Sequence, residues 1–155
     1  MRNSTFRFKL ENKIRRNIYL IFFSILCFCQ FPHFIYSQDI SKQISEGNKL
    51  IKEKKYDEAL KVLTEAKNLD DKSPLPDISL GMLFLIKDDL IEAEKYLKSA
   101  ELKNPDLDAV RYTLALLYEK KGDRTNSIEY WNKLLKNSNF KNTAKKHIQY
   151  LEEGK

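Results

Sequence analysis

Side chains able to do chemistry are few in this sequence of 155 residues, and they do not cluster. Cys27 and Cys29 both fall in an apolar N-terminal stretch, so the rest of the chain has no thiolate nucleophile and no cysteine-based metal site. His147 is the one histidine after residue 38, and it lies in an amphipathic stretch where a solvated or packed histidine is the usual outcome. Paired acids such as Asp88-Asp89 could serve acid–base catalysis, but they occur where turns and helix starts are expected. We therefore predict no catalytic residue, no cofactor and no metal site, and a protein that binds rather than catalyses.

The net charge of +6 is concentrated at the N-terminus. Residues 1–38 hold six basic residues against Glu11 alone, whereas the remainder is close to neutral, with both signs interspersed. A surface that binds phosphates needs clustered Lys and Arg. We therefore predict no nucleic-acid partner.

The N-terminal segment has the order of a secretory signal peptide. Residues 1–16 are basic, residues 18–29 are almost continuously apolar, and a polar exit leads to Ser37, after which cleavage is expected. Retention of residues 18–36 as a membrane anchor is an alternative, with the domain sent outward. Lipidation at a cysteine is a third, although no small residue precedes either one. Each alternative takes the C-terminal domain out of the cytoplasm, so we expect an exported protein in the periplasm or cell envelope.

Three blocks of 34 residues repeat without a gap after the leader, at 40–73, 74–107 and 108–141. Small residues recur at the eighth and twentieth positions of the blocks, and larger ones recur at the eleventh and twenty-fourth. The eighth and twenty-fourth positions are Gly47 and Leu63, Gly81 and Leu97, and Ala115 and Trp131. Apolar residues three and four apart predict helices, and the small residues predict close approach of two helices within each block.

Turn signals support two helices per block. Lys54-Lys55, Asp88-Asp89 and Gly122-Asp123 stand at the same point of successive blocks, and prolines occur only where helices begin or end. Residues 142–155 carry Ala144 and Ile148 on one face and predict a final amphipathic helix that caps the stack. The chain is therefore predicted to be all-α, with about seven helices.

These blocks resemble the tetratricopeptide repeat family. The resemblance rests on YDEAL at 56–60, on Gly81, Ala93, Ala100 and Pro105, and on Tyr118 with Gly122-Asp123. It implies a right-handed superhelix of antiparallel helix pairs. The chain departs from the family pattern at Asp71 and Asn139, where a proline usually closes the repeat, and at Ser127 and Leu134, where alanines are usual. The third block is thus the least regular.

The resemblance also implies a concave groove lined by the first helix of each block. Nine residues occupy groove positions: Ile44, Asn48, Ile51, Ile78, Met82, Leu85, Ile86, Tyr112 and Leu116. Chaperone-docking members of the family grip a C-terminal carboxylate with Lys, Asn and Arg. Asn48 matches one of those positions here, but Ile44, Ser79, Ala109 and Thr113 stand at the others. The groove is apolar instead, which predicts that it binds an amphipathic or apolar segment of another protein, or a second copy of the chain.

We therefore expect an exported adaptor or scaffold that binds other proteins. The alternative is a structural subunit of an envelope complex, either membrane-anchored or self-associating. The sequence leaves open the oligomeric state, the partner's identity and whether the groove or the convex face binds it. Membrane contact is expected only if the leader is retained.

Overall fold

A computed structural model describes residues 32–136 and 139–154, with side chains from residue 40 onward. Most of the predicted leader, residues 1–31, lies outside the described residues, so its cleavage, anchoring or lipidation stays a prediction. Among the helices that are described, none is both long and apolar enough to cross a bilayer.

Seven helices make up the described regular structure, and residues 32–136 and 139–154 contain no strand. The helices are α1 (Pro32–Lys52), α2 (Tyr56–Leu69), α3 (Leu75–Ile86), α4 (Leu90–Lys103), α5 (Asp108–Lys120), α6 (Arg124–Leu134) and α7 (Lys141–Glu153). The prediction of an all-α protein is confirmed. Helix α1 begins earlier than the first predicted block, with a proline at its first position, where the missing N–H has no helical partner to lose.

Helices within a pair approach closely because glycine faces leucine. A Cβ added at Gly47 would lie 2.5 Å from a methyl of Leu63, and one added at Gly81 would lie 2.5 Å from a methyl of Leu97. Both leucines are fully buried, so the space beside each glycine is already filled. In the third pair, Ala115 and Trp131 stand at these two positions, and the Ser127 hydroxyl donates a hydrogen bond to the backbone carbonyl of Ala115 at 3.0 Å.

The turn inside each pair adopts a left-handed backbone at one residue. Lys54, Asp88 and Gly122 occupy this position with φ values of 61°, 65° and 72°. In the second and third pairs the next residue is an aspartate that caps the following helix: Asp89 accepts from the backbone N–H of Glu92, and Asp123 does the same for Asn126.

Residues Ile40–Lys155 form one compact unit, whose core divides into two apolar clusters. The first cluster joins α1 and α2 to α3, and includes Leu63 and Leu83. The second runs from α3 to α7 around Trp131, and Ala144 of α7 is fully buried in it. Helix α7 packs on α6 as the sequence predicts of a cap.

Candidate functional site

A cavity of about 710 Å³ opens between α3, α5 and α7. Its lining follows the repeat. When residues 142–155 are counted as the start of a fourth block, the ninth position of successive blocks supplies Met82, Leu116 and Tyr150, and the thirteenth supplies Ile86, Lys120 and Gly154. The remaining lining residues are Leu85, Glu119, Arg124 and Leu151. Three helices one period apart therefore present the same positions to one hollow.

Two of the apolar lining residues remain open to solvent. Ile86 is 47% exposed on α3, and Tyr150 is 54% exposed on α7. Met82, Leu116 and Leu151 are partly buried against the core behind them. An accessible apolar hollow of this kind gains free energy when a partner's apolar side chain displaces water from it.

Two cations at the cavity tie the ends of neighbouring helices together. Lys120 donates to the backbone carbonyl of Leu85 at 2.9 Å and pairs with the Asp88 carboxylate at 2.8 Å. Arg124 donates to the backbone carbonyl of Glu152 at 2.8 Å. Helix C-termini carry partial negative charge, so both contacts stabilise the helices that form the walls.

A second, smaller hollow of about 300 Å³ adjoins the first, and the two share Glu119 and Tyr150. Its other lining residues are Lys146 and His147. The Glu119 carboxylate accepts a hydrogen bond from the Trp131 indole N–H at 3.2 Å and lies 2.8 Å from Nδ1 of His147.

These contacts hold α7 firmly against the third pair. The Trp131 and His147 rings stack with their centroids 4.3 Å apart. The stacked rings and the Glu119 carboxylate fix which side of α7 faces the other helices. The direction in which Tyr150 projects from α7 is therefore fixed as well.

The nine predicted groove residues are only partly brought together. Met82, Leu85, Ile86 and Leu116 line the cavity, although Leu85 is only 6% exposed. Ile51 is 8% exposed and belongs to the first core cluster.

The other four predicted residues lie outside both hollows. Tyr112 packs edge-on against Trp131 with ring centroids 5.5 Å apart and also contacts the Phe140 ring, and Ile78 packs on the same core cluster. Ile44 and Asn48 are half-buried on α1. The predicted groove residues that line the cavity are thus those nearest the intra-pair turns.

Sequence reasoning missed the contribution of α7. Treated only as a polar-backed cap, it supplied no predicted groove residue, yet Tyr150 and Leu151 form one wall of the cavity. The repeat period could have predicted this wall. A fourth block that begins at residue 142 places Lys146 at the fifth position and Tyr150 at the ninth. The structure shows that this register is followed.

A buried carboxylate also escaped the sequence analysis. Asp77 of α3 is fully buried, and its two oxygens are bound by the ammonium groups of Lys67 and Lys103 and by the Ser99 hydroxyl, the last at 2.7 Å. Burial alone would raise the pKa of Asp77, but the hydrogen bonds from Lys103, Lys67 and Ser99 outweigh it, so that the pKa lies below its ordinary value. This network joins α2, α3 and α4, and its residues line neither hollow.

A second polar cluster joins α4 to α6. The Tyr130 hydroxyl donates to Glu101 at 2.6 Å, and Lys98 donates to both. Burial works against the charged form of Lys98, yet these hydrogen bonds raise its pKa above the ordinary value. Every charge in this cluster has a partner, and no group of His, Cys, Asp or Glu in the described residues could hold a metal ion.

Comparison with known proteins agrees with this architecture. Residues 109–139 match the family model described as tetratricopeptide repeat. The first TPR domain of Spaghetti (RPAP3), bound to the HSP90 peptide SRMEEVD, superposes with a TM-score of 0.71 at 17% identity, covering 76% of this chain and 96% of that one. The Arabidopsis OM64 TPR domain gives 0.69 at 18% identity over 77% and 99%. The Sgt2 TPR domain from Aspergillus fumigatus gives 0.67 at 17% identity over 75% and 78%. No curated protein sequence matches the chain.

Proposed function

Because the chain is a tetratricopeptide-repeat protein, we propose that it is a protein–protein interaction adaptor or scaffold that binds an apolar or amphipathic segment of its partner on its concave face. The observation that carries this proposal is the cavity formed by Met82, Ile86, Leu116 and Tyr150. Its walls come from three helices that are themselves fixed by core packing, so it is preformed. A preformed site spares the partner part of the cost of ordering a binding surface.

The residues at the positions of the polar grips favour an apolar anchor over recognition of a peptide's C-terminal carboxylate. Spaghetti, the relative that carries a bound peptide, shares the fold at 17% identity. In this chain Ser79 and Thr113 are buried, and the Thr113 hydroxyl already donates to the backbone carbonyl of Ala109 at 2.5 Å. Two of the positions where related domains would place polar grips are therefore closed to a ligand here, and we propose that burial of apolar side chains supplies most of the affinity.

The place of action that we propose is the periplasm or cell envelope. Support comes from the sequence of residues 1–37, with its basic start, apolar core and polar exit. N-terminal sequencing of the native protein tests it: a chain that begins near Gln38 supports export with cleavage. A chain that begins at Met1 and sediments with membranes supports an anchored subunit, and one that begins at Met1 in the cytoplasm contradicts the proposal.

The binding site is tested by two matched substitutions. Ile86→Asp places a charge in the cavity, whereas Ile91→Asp makes the same chemical change at a residue that is 81% exposed on α4 and lines neither hollow. Both side chains are accessible enough for the variants to fold, which circular dichroism would verify. We expect the partner recovered by affinity capture with the parent protein to be lost with Ile86→Asp and kept with Ile91→Asp. Retention of the partner by both variants, or its loss with Ile91→Asp alone, would contradict the cavity as the binding site.

A further inference from the structure

Helix α7 and the glycine that follows it supply three residues, four apart in sequence, to the two hollows. Lys146 lines the smaller hollow, Tyr150 lines both hollows, and Gly154 lines the larger one. Residues four apart lie on one face of a helix, about 6 Å from each other along its axis. An apolar cavity and a cation therefore adjoin each other at the spacing of one helical turn.

The charge at this surface is unbalanced. The residues that line the two hollows include three cations, Lys120, Arg124 and Lys146, against one carboxylate, Glu119. Glu119 is already engaged by the indole N–H of Trp131 and by His147.

The three cations differ in what already binds them. Lys120 is engaged by a carbonyl and a carboxylate, and Arg124 by a carbonyl. Lys146 is exposed and has no ion-pair partner among residues 40–136 and 139–154. It is the cation best placed to receive an acidic group from outside.

We propose that the bound segment is a helix that carries an aspartate or glutamate one turn from its apolar anchor. The anchor enters the cavity between Met82, Leu116 and Tyr150, and the carboxylate pairs with Lys146. This inference rests on the proposed function and specifies its ligand. A solvent-facing ion pair contributes little, so we expect a preference of about three- to tenfold between an acidic and a basic residue at that position.

The experiment uses the purified full chain and three synthetic helical peptides. Each peptide has the same alanine- and glutamine-based sequence with two leucines as anchors, and they differ only in a glutamate, glutamine or lysine four residues after the second leucine. Met82 is the only methionine besides Met1, so its methyl resonance reports directly on occupancy of the cavity. We expect all three peptides to shift that resonance, with dissociation constants rising in the order glutamate, glutamine, lysine, and with the difference shrinking as salt is added.

Two variants make the test specific. Lys146→Glu should reverse the order, whereas Lys145→Glu, the same change at the neighbouring exposed residue that lines neither hollow, should preserve it. If the peptides shift the Met82 methyl with equal affinities, or if Lys146→Glu leaves the order unchanged, the acidic partner is refuted while the cavity stays a binding site. If none of the peptides shifts it, the acidic partner is refuted together with the proposed cavity.

Discussion

Replacing Asp77 with asparagine removes one negative charge from a fully buried position and leaves two ammonium groups without their counter-ion. Loss of one partner of a buried ion pair costs about 3–5 kcal/mol. Lys67 and Lys103 are each partly exposed and can turn toward water, so we expect a loss at the low end of that range, about 3 kcal/mol. With a denaturant slope of about 1.5–2 kcal/mol/M, the urea midpoint at pH 7 should fall by about 1.5–2 M.

The control for this prediction is Asp57→Asn. Asp57 is fully exposed and reaches Lys87 only at 4.0 Å, so the same chemical change should cost less than about 0.5 kcal/mol. Urea unfolding followed by circular dichroism gives both values. Equal midpoints for the two variants would refute the reasoning, because they would show that the buried network contributes no more than a surface charge.

The dependence on pH follows from the lowered pKa of the Asp77 carboxyl. A carboxyl whose folded-state pKa lies below its unfolded value, about 3.9, stabilises the fold fully above that value. Its contribution is lost as pH falls further, through the folded-state pKa. The difference in unfolding free energy between the parent and Asp77→Asn should therefore be constant from pH 7 to about pH 5 and should shrink below about pH 4. A difference that grows on acidification would contradict this sign.

Three further predictions concern the helix pairs and are measured by the same unfolding assay. Gly81→Ala and Leu97→Ala should each destabilise the fold, the second by about 2–5 kcal/mol. The double variant should lose at least about 1 kcal/mol less stability than the sum of the two, because alanine at position 97 makes room for the new methyl group at position 81. Strictly additive losses would contradict the contact. Gly122→Ala should reduce the unfolding free energy by about 1 kcal/mol, whereas Lys54→Gly should leave it unchanged or raise it slightly, because both positions have positive φ. Changes of the opposite sign would contradict the turn geometry. Lys55→Asp should add the side-chain N-cap that α2 lacks and stabilise the fold by about 0.5–2 kcal/mol. No gain in stability would show that the ion pair of Lys55 with Glu53 contributes at least as much as the new cap.

Most of the fold could be predicted from the 34-residue repeat period. Gly81 and Leu97 stand sixteen residues apart in the sequence, and their recurrence at Gly47 and Leu63 was enough to predict a close contact between paired helices. The positions of the turns could be predicted from the same period. Gly122 and Asp88 occupy the same position in their blocks, and both have a left-handed backbone in the structure.

The candidate site was less predictable because groove positions are also core positions. Ile51 and Leu85 point partly toward the neighbouring helix and are buried, whereas Tyr150 was overlooked on a helix regarded as a cap. The Asp77 network was invisible for another reason. Its partners lie 10, 22 and 26 residues away, on the two helices that pack beside α3, and no local pattern marks them.

The most direct test of the account is the binding of the partner to Ile86→Asp and Ile91→Asp, measured side by side with folded protein. The cavity account predicts that Ile86→Asp weakens binding at least tenfold, since a charge would replace an apolar group in the site, about 1.4 kcal/mol or more. It predicts that Ile91→Asp binds like the parent. Unchanged affinity for Ile86→Asp would contradict the account, whatever the second variant does.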